Sequence, residues 1–530
     1  MAESVLLEEH GPLSRSLIWQ VERDAYRSQG VDGWRAGTVP HYITSNPYIA
    51  GSYASVLLGF LRDCVEADGF DDSEPVHIVE LGAGPGRFGY HLLTQLLERR
   101  RRTRVANVGI RYVMSDLAEA NVAFWQDHPK LKPLVDEGVL DFARFDIEHD
   151  DEIRLLATGD VLAAGSLTNP GAVVANYVFD SVPQDCYRVE QARLVAVLAA
   201  ACSSRPEPDL ADPTLLDRLD LSFADAAVDA DELGLDRTSL EVLDGYRERL
   251  GSTTVLWPSM TIRCLDRLRA IWRGRMALLS GDKGFSREDD LLTRGAPDVV
   301  SHGQVFSLMV NFHGIGEWFA RQGGIALHPA QRHSSLNISL CSSGLAASDL
   351  LETAAAYHES IEAGSPDDFY AAVLASDAPI TELSTLLSLV RLSRFDAEAL
   401  LRHLPDIGPA IADAPSAAKA EVAWTAGKVW EAYFPIGEPL DVPFHLGSLL
   451  YQLGWNDDAI VYFEHSMALY GETGEMLYNV ALCHYAARDL QQALAFADRA
   501  SMYPDAADGA KALRVRVAAE MDRPSFGPER

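Results

Sequence analysis

A strand-and-turn segment limits the fold of this chain more than any other feature. Residues 76–89 have the sequence VHIVELGAGPGRFG, an apolar run followed by a turn that contains Gly82, Gly84 and Gly86. Residues 90–97 then show the apolar spacing of a helix. Glycine lets the backbone approach a bound nucleoside at places where a Cβ atom would keep it away. The segment therefore predicts an α/β fold with a cofactor cradle at the end of a buried strand.

The spacing of this turn narrows the kind of cofactor. The sequence ELGAGPG lacks the Gly-x-Gly-x-x-Gly spacing of a dinucleotide site, and no Gly-Lys-Ser/Thr follows it to hold phosphates. A nucleoside cofactor without phosphates fits the segment better. We predict that Glu80, Gly82, Ala83, Gly84 and Gly86 bind this cofactor.

Two further strands are predicted to end in acidic residues. Residues 110–116 end in Asp116, whose carboxylate can accept hydrogen bonds from both hydroxyls of a ribose. Residues 140–146 end in Asp146, which could accept one from an adenine amino group. Leu117 and Ile147 directly follow these acids and complete the predicted cofactor-binding set on this side.

A fourth predicted strand, within residues 171–185, carries a motif that indicates a family. Asn176, Phe179, Asp180 and Pro183 have a spacing similar to the Asn-Glu-x-Phe-Asp-Ala-Leu-Pro signature of the MidA-type methyltransferases. That family includes the mitochondrial complex I assembly factor that methylates protein arginine, and the glycine-rich turn resembles motif I of the class I S-adenosylmethionine-dependent methyltransferases. The resemblance implies a Rossmann-like class I methyltransferase domain with S-adenosyl-L-methionine as its cofactor.

Other segments extend the resemblance over residues 35–345, and two positions depart from it. Residues 42–50, 277–284 and 310–312 are similar to further elements of the family. Tyr177 stands where the family usually has Glu, and Met309 stands where it has His. The resemblance therefore implies fold and cofactor more firmly than substrate.

The candidate catalytic residues lie near the expected methyl group. In this fold, residues at the carboxyl end of the fourth strand face the transfer site, so Asn176 and Asp180 are expected to orient the acceptor. Asn176 is also expected to touch the cofactor. Asp180 could pair with a guanidinium, or it could merely cap the following turn. His313 is a further catalytic candidate, and His302 and Asn311 are additional candidates for the site. A lone histidine is often structural.

Composition excludes several other classes of function. The net charge of −32 on 530 residues disfavours nucleic acid and favours a cationic substrate. The basic run from Arg99 to Arg104 lies where a helix should end, and cations there complement the helix dipole. The six cysteines have no paired spacing, which argues against disulfides and a metal site. Without a signal peptide or a membrane-spanning run, we expect a cytoplasmic protein.

Three regions follow from the pattern along the chain. Residues 1–75 are expected to form a helical segment that packs on the cofactor site, and residues 76–345 the methyltransferase domain. Within it, residues 186–270 form an insertion whose first part could be a hairpin continuing the sheet. The rest of the insertion is acidic, which indicates either a solvated surface or a lid that attracts a cation; its acids are Asp209, Asp212, Asp217, Asp220, Asp225, Asp229 and Asp231.

Residues 346–525 are predicted to be almost entirely helical, with an internal repeat. Leu446-Gly447, Ala459 and Phe463 recur 34 residues later as Val480-Ala481, Ala493 and Ala497, a period typical of tetratricopeptide (TPR) repeats. Such a domain recognises a peptide, forms a homodimer, or caps the fold.

The sequence thus predicts a methyltransferase that acts on arginine in a protein or peptide held partly by the repeats. Two alternatives stay open: methylation of a small molecule or natural product at nitrogen or oxygen, and a non-catalytic assembly protein.

Overall fold

The computed structural model describes residues 5–37, 42–207, 209–210, 212, 214–226, 234–302, 305–332, 335–374 and 379–522. Asp229 and Asp231 of the acidic insertion lie outside the described residues, and so does the side chain of His302. The chain forms two compact units, residues 1–372 and 373–530.

The first unit is mixed α/β. Its strands are β1 (Val5–Pro12), β2 (Val76–Leu81), β3 (Ile110–Asp116), β4 (Leu140–Arg144), β5 (Ile153–Arg154), β6 (Val161–Leu162), β7 (Gly171–Asn176), β8 (Asp185–Glu190), β9 (Arg193–Ser203), β10 (Leu219–Ala226), β11 (Thr253–Trp257), β12 (Met276–Asp282), β13 (Gly284–Phe285), β14 (Val300–His302), β15 (Val305–Ser307), β16 (Val310–Asn311), β17 (Ala326–Leu327) and β18 (Asn337–Ser343). Its helices are α1 (Leu17–Gln29), α2 (Asp32–Arg35), α3 (Tyr42–Ser45), α4 (Pro47–Glu66), α5 (Arg87–Arg100), α6 (Glu119–Asp127), α7 (Lys132–Asp136), α8 (Arg237–Arg249), α9 (Ser259–Ile271), α10 (Phe312–Arg321), α11 (Leu351–Tyr357) and α12 (Pro366–Phe369).

A seven-stranded sheet with the order β17-β18-β12-β7-β2-β3-β4 forms the centre of this unit. The five strands from β12 to β4 pair in parallel, and β18 pairs antiparallel with both β12 and β17. Every residue of β2, β12 and β18 is buried, as expected for strands covered on both faces. The predicted mixed α/β fold with a mainly parallel sheet is confirmed.

A second sheet arises from the insertion. The predicted hairpin exists as β8 and β9, but it does not continue the central sheet. It pairs instead with β1, β10 and β11 in an antiparallel sheet. The amino-terminal strand β1 is thereby fixed against the insertion, and α1 follows it directly.

The long helix α4 connects the amino-terminal region to the central sheet. Asn46 caps it by accepting hydrogen bonds from the backbone N–H groups of Tyr48 and Ile49, and Pro47 occupies the first turn. Helix α11 packs on α4, and Asp63 accepts hydrogen bonds from the backbone of Thr353. The predicted boundary at residue 346 therefore lies inside the first unit, because α11 is anchored to α4.

The second unit consists of helices among its described residues: α13 (Leu383–Leu392), α14 (Ala397–Leu401), α15 (Leu404–Ala412), α16 (Ser416–Ala432), α17 (Val442–Gln452), α18 (Asn456–Tyr470), α19 (Gly474–Ala486), α20 (Leu490–Ala500) and α21 (Ala507–Met521). The repeated residues are buried where neighbouring helices meet; a Cβ atom on Gly447 would lie 3.0 Å from the Phe463 ring. Across the described part of the chain, the helices are all too short or too polar to cross a bilayer.

Candidate functional site

Two adjoining cavities lie at the carboxyl ends of the parallel strands. Cavity A, of about 800 Å³, is lined by the glycine turn and by the residues that follow β7. Cavity B, of about 840 Å³, is lined by the residues that follow β3 and β4. Both share Tyr26, Trp34, Gly82, Tyr177 and Ser181. This edge, where parallel strands end, is the usual ligand-binding edge of an open α/β sheet.

The structure brings most of the predicted residues to these cavities. Glu80, Gly82, Ala83, Gly84, Asn176 and Asp180 line cavity A. Gly82, Asp116, Leu117, Asp146 and Ile147 line cavity B. Gly86 and His313 line neither.

The glycine turn forms a tight floor between the cavities. Gly82, Gly84 and Gly86 have φ values of 59°, 54° and 82°, in the left-handed region that favours glycine. A Cβ atom on Gly84 would lie 2.9 Å from the Trp34 ring, and one on Gly86 would lie 2.6 Å from a Met114 side-chain carbon. Gly86 therefore supports the turn from behind, whereas Gly84 faces a cavity wall.

Glu80 lies buried beneath this turn at the end of β2. The Tyr112 hydroxyl donates to its Oε2 at 3.0 Å. Burial raises its pKa to about 8, although the bond from Tyr112 opposes the rise. A cation or a hydrogen-bond donor that approached Glu80 would favour its ionised form and oppose this rise.

Asp116 connects the turn to the end of β3. Its Oδ2 accepts from Gly84 N at 2.9 Å, and its Oδ1 accepts from Ala118 N at 2.8 Å. Burial raises the pKa of Asp116 in spite of these bonds. Asn121 of α6 lies beside it, fully buried and lining cavity B. A carboxylate has about four lone-pair sites, so Asp116 retains the capacity to accept a ligand hydroxyl.

Asp146 is held by a cation that the sequence did not indicate. Arg23 of α1 forms a bidentate ion pair with Asp146 and a second pair, 2.6 Å long, with Glu148. Burial opposes ionisation of Asp146, but the bonds from Arg23 outweigh it and lower its pKa. Asp146 thus remains ionised, and Arg23 closes the wall of cavity B next to it.

Asn176 ends strand β7 with an unsatisfied hydrogen-bond donor, and the next residue, Tyr177, has a strained backbone. Asn176 Oδ1 accepts from the Tyr53 hydroxyl at 2.6 Å, whereas its buried Nδ2 has no hydrogen-bond partner among the described residues. Tyr177 has a φ of 50°, which is uncommon for a side chain of this size. Its hydroxyl donates to Ser335 O at 2.6 Å. Asn176 therefore lines cavity A with a buried amide donor that lacks an acceptor among the described residues.

Asp180 belongs to a group of buried carboxyls. Asp282, at the end of β12, accepts from Asp180 N at 3.1 Å. Burial raises the pKa of Asp180 to about 6, and burial together with the charge of the neighbouring Asp180 raises the pKa of Asp282 well above its usual value. Lys283, the next residue, lines cavity A, and its charge partly offsets the rise for Asp180.

The remaining catalytic candidates lie elsewhere. His313, in the first turn of α10, is bonded through Nδ1 to the Tyr246 hydroxyl at 2.7 Å, and burial lowers its pKa. Asn311 caps α10 by accepting from Gly314 N at 2.8 Å. Both have structural contacts outside the cavities.

Helix α1 belongs to the amino-terminal segment that was expected to pack on the cofactor site, and it supplies cavity residues that the sequence did not single out. Trp19, Arg23 and Tyr26 line the cavities, and Glu22 lies buried beside them. These four residues have the spacing i, i+3, i+4, i+7, which places them on one face of a helix. This stripe of aromatic and charged residues was the sequence signal for a cavity wall. It could not be distinguished from one face of an ordinary amphipathic helix.

No protein-family model and no curated protein matches this chain. Among solved structures, an uncharacterized superfamily protein from Burkholderia thailandensis is similar, with 13% identity, a TM-score of 0.35, and coverage of 63% of this chain and 88% of that one. A member of the same superfamily from that organism, bound to S-adenosyl-homocysteine, has 16% identity, a TM-score of 0.37, and coverage of 60% and 74%. A complex of DhpI with S-adenosyl-homocysteine has 9% identity, a TM-score of 0.26, and coverage of 62% and 97%. Similarities at this level do not by themselves assign a fold or a ligand to this chain.

Proposed function

We propose that this protein is an S-adenosyl-L-methionine-dependent methyltransferase. The observation that carries the proposal is the glycine turn at the end of β2, with Asp116 at the end of the neighbouring strand. Numbered by appearance within the central sheet, the strand order is 3-2-1-4-5-7-6 with strand 7 reversed. This is the order of the class I methyltransferase fold, and it differs from the 3-2-1-4-5-6 order of dinucleotide-binding domains.

The residues present fit such a cofactor. A Cβ atom at Gly82 would lie 2.7 Å from a Val178 methyl group and one at Gly84 would meet Trp34, so only glycine keeps the cradle open. Asp116 would accept from the ribose, Asp146 and Ile147 would flank the adenine, and Glu80 would face the amino-acid part. When bound, this cofactor supplies a methyl group activated by a sulfonium.

The chain's own residues would place the acceptor and exclude water. Tyr26 and Trp34 line both cavities, and their rings would limit the access of solvent to a transferable group. Asn176 offers an amide donor without an acceptor, and Asp180 offers a buried carboxyl on the same cavity wall. Placement of the acceptor nitrogen by these two groups would supply most of the rate enhancement.

The acceptor we propose is an arginine side chain in a protein or peptide, methylated in the cytoplasm. Asp180 in cavity A supports this choice, because a carboxylate pairs with a guanidinium through two hydrogen bonds. The helical unit would hold part of the substrate through its own groove, about 1320 Å³ in volume, whose apolar wall includes Leu401, Leu404, Ile411, Leu440 and Leu449. A TPR-like role in peptide recognition fits that groove. If the helical unit instead formed a homodimer, the protein would have twice its monomer mass in solution.

Two measurements test this proposal. Titration calorimetry should show binding of S-adenosyl-homocysteine to the wild type and to Asp180→Asn, and weakened binding to Asp116→Ala. Mass spectrometry of arginine-containing peptides, incubated with S-adenosylmethionine, should then show a methyl-sized gain with the wild type but not with Asp180→Asn. Cofactor binding without peptide methylation would direct the search to small-molecule acceptors, and absence of binding would contradict the proposal.

A further inference from the structure

Three buried carboxyls from separate elements meet behind cavity A. Glu22 comes from α1, Asp180 from the turn after β7, and Asp282 from the end of β12; their exposed fractions are 1%, 4% and 0%. Asp282 accepts a hydrogen bond from the backbone N–H of Asp180 at 3.1 Å, which holds the two residues side by side. The carboxyl of Glu22 lies close enough to Asp180 for the two charges to interact. We call these three residues the acid cluster.

The acid cluster has fewer hydrogen-bond donors than its oxygens can use. Asp180 accepts from the Ser181 hydroxyl at 2.9 Å, and Asp282 accepts from Lys283 N at 2.8 Å. Glu22 accepts from Phe306 N at 3.1 Å through Oε1. Its Oε2 is buried without a hydrogen-bond partner among the described residues. Such a group is costly to bury, and a ligand that donates hydrogen bonds would reduce that cost.

The surroundings leave the acid cluster short of positive charge. The titratable groups that face it come from α1, α4 and the ends of β7 and β12, and they are Tyr26, Tyr53, Tyr177 and Lys283. Among them, only Lys283 is a cation. Burial raises the pKa of each of the three carboxyls. Two ionised carboxylates side by side in a buried site also repel each other, which favours one proton on the Asp180–Asp282 pair.

We propose that the acid cluster is the subsite for the methyl acceptor, and that it takes the acceptor as a guanidinium or ammonium in exchange for a proton. This inference rests on the proposed function and adds to it the role of Glu22 and Asp282. Asp180 lines the cavity and makes the contact. Asp282 and Glu22 are positioning residues that act through Asp180 by holding or releasing the exchanged proton.

The exchange of a proton for the acceptor cation also accounts for the proton that the acceptor nitrogen loses during methyl transfer. On methyl transfer, a bond forms between the acceptor nitrogen and the methyl carbon, and the carbon–sulfur bond breaks with its electron pair left on sulfur. The nitrogen loses one proton, which passes to the ionised Asp180–Asp282 pair. The pair then has the proton count that it had before the acceptor bound, and the product leaves as a methylated cation.

The test counts protons in the full-length protein loaded with S-adenosyl-homocysteine. Methylguanidinium is titrated at neutral pH in two buffers that differ in ionisation enthalpy, and the difference in heat gives the number of protons released. We expect about one proton per bound cation, by linkage between binding and protonation. N-methylurea, an uncharged analogue of the same shape, should bind more weakly and release none.

Two variants and one control assign the proton to the acid cluster. Asp282→Asn keeps a hydrogen-bond donor beside Asp180 but cannot release a proton, so proton release should fall towards zero. Glu22→Gln should reduce it and keeps the test available if Asp282→Asn does not fold. Asp141→Asn is the matched control, because Asp141 is fully buried and accepts from the backbone of Phe142 and Ala157 at 2.8 Å, away from both cavities. It should retain the proton release of the wild type.

The possible failures can be told apart. Equal affinity for N-methylurea, cation binding without proton release, or no cation binding would each overturn the proposal for the acid cluster while leaving cofactor binding intact. Loss of S-adenosyl-homocysteine binding in the wild type would instead contradict the proposed function. In that case the same titrations on the unloaded protein decide whether the acid cluster exchanges a proton for a cation.

Discussion

Substitution of Gly84 by alanine tests the glycine cradle directly. Gly84 has a φ of 54°, and an added Cβ atom would lie 2.9 Å from the Trp34 ring. The left-handed conformation costs a non-glycine residue about 1–2 kcal/mol. Overpacking against Trp34 costs about 1–3 kcal/mol more unless the ring moves. Because Trp34 lines both cavities, a shift of its ring narrows the space for the cofactor.

We expect affinity for S-adenosyl-homocysteine to fall at least about tenfold in Gly84→Ala, which corresponds to about 1.4 kcal/mol. Titration calorimetry measures the affinity, and urea unfolding measures the accompanying loss of stability. Gly69→Ala is the matched control, because Gly69 also has a positive φ, 75°, but an added Cβ atom would have no neighbour within 4 Å. It should lose stability from strain alone and bind normally. Unchanged binding by Gly84→Ala, or an equal loss in Gly69→Ala, would refute the role of this turn.

Three further predictions concern Arg23 and Glu80 at the cavities and His313 outside them. Arg23→Gln removes the bidentate partner of buried Asp146, so the free energy of unfolding should fall by about 1–3 kcal/mol in urea, and Arg23→Lys should restore only part of it. Burial raises the pKa of Glu80 to about 8. Its contribution to the free energy of unfolding is therefore present below about pH 4.5 and is lost as the pH rises through about 8. In urea unfolding across this pH range, the free energy of unfolding should decline less steeply for Glu80→Gln than for the wild type. His313→Gln should lose about 1 kcal/mol of stability with the Tyr246 bond, and calorimetry should show unchanged affinity for S-adenosyl-homocysteine.

The central sheet could be predicted from sequence because its signals are local. The apolar run before the glycine turn is long enough for a strand buried on both faces, and the positive φ values of the turn require glycine. Asp116 and Asp146 follow neighbouring parallel strands, whose carboxyl ends must lie at one edge. The same reasoning could not place His313, because α10 follows the short strand β16, which pairs with β13 outside the central sheet.

The limits of the first unit depended on contacts that no local pattern encodes. The helical pattern begins after residue 346, whereas the first compact unit ends at residue 372. The change of pattern along the sequence therefore does not mark the end of that unit. The structure instead attaches α11 to α4, where a Cβ atom on Gly59 would lie 2.6 Å from Glu352 O. Such close approach of two helices separated by hundreds of residues depends on one small residue. The sequence contains many small residues and does not show which of them lies at a helix contact.

Glu22 and Asp282 of the acid cluster could not be recognised from the sequence for the same reason, and their burial is informative. In the sequence, Glu22 lies among polar residues of an amphipathic helix, and Asp282 precedes a lysine, so both resemble solvated acids. Only the fold removes them from water, and Glu22 Oε2 is buried without a hydrogen-bond partner among the described residues, which costs free energy. A protein stable by only about 5–15 kcal/mol retains such a cost mainly where a ligand offsets it, since substitution by a neutral residue would otherwise stabilise the fold. Glu22→Gln should therefore raise the free energy of unfolding of the unloaded protein while weakening its affinity for a cation.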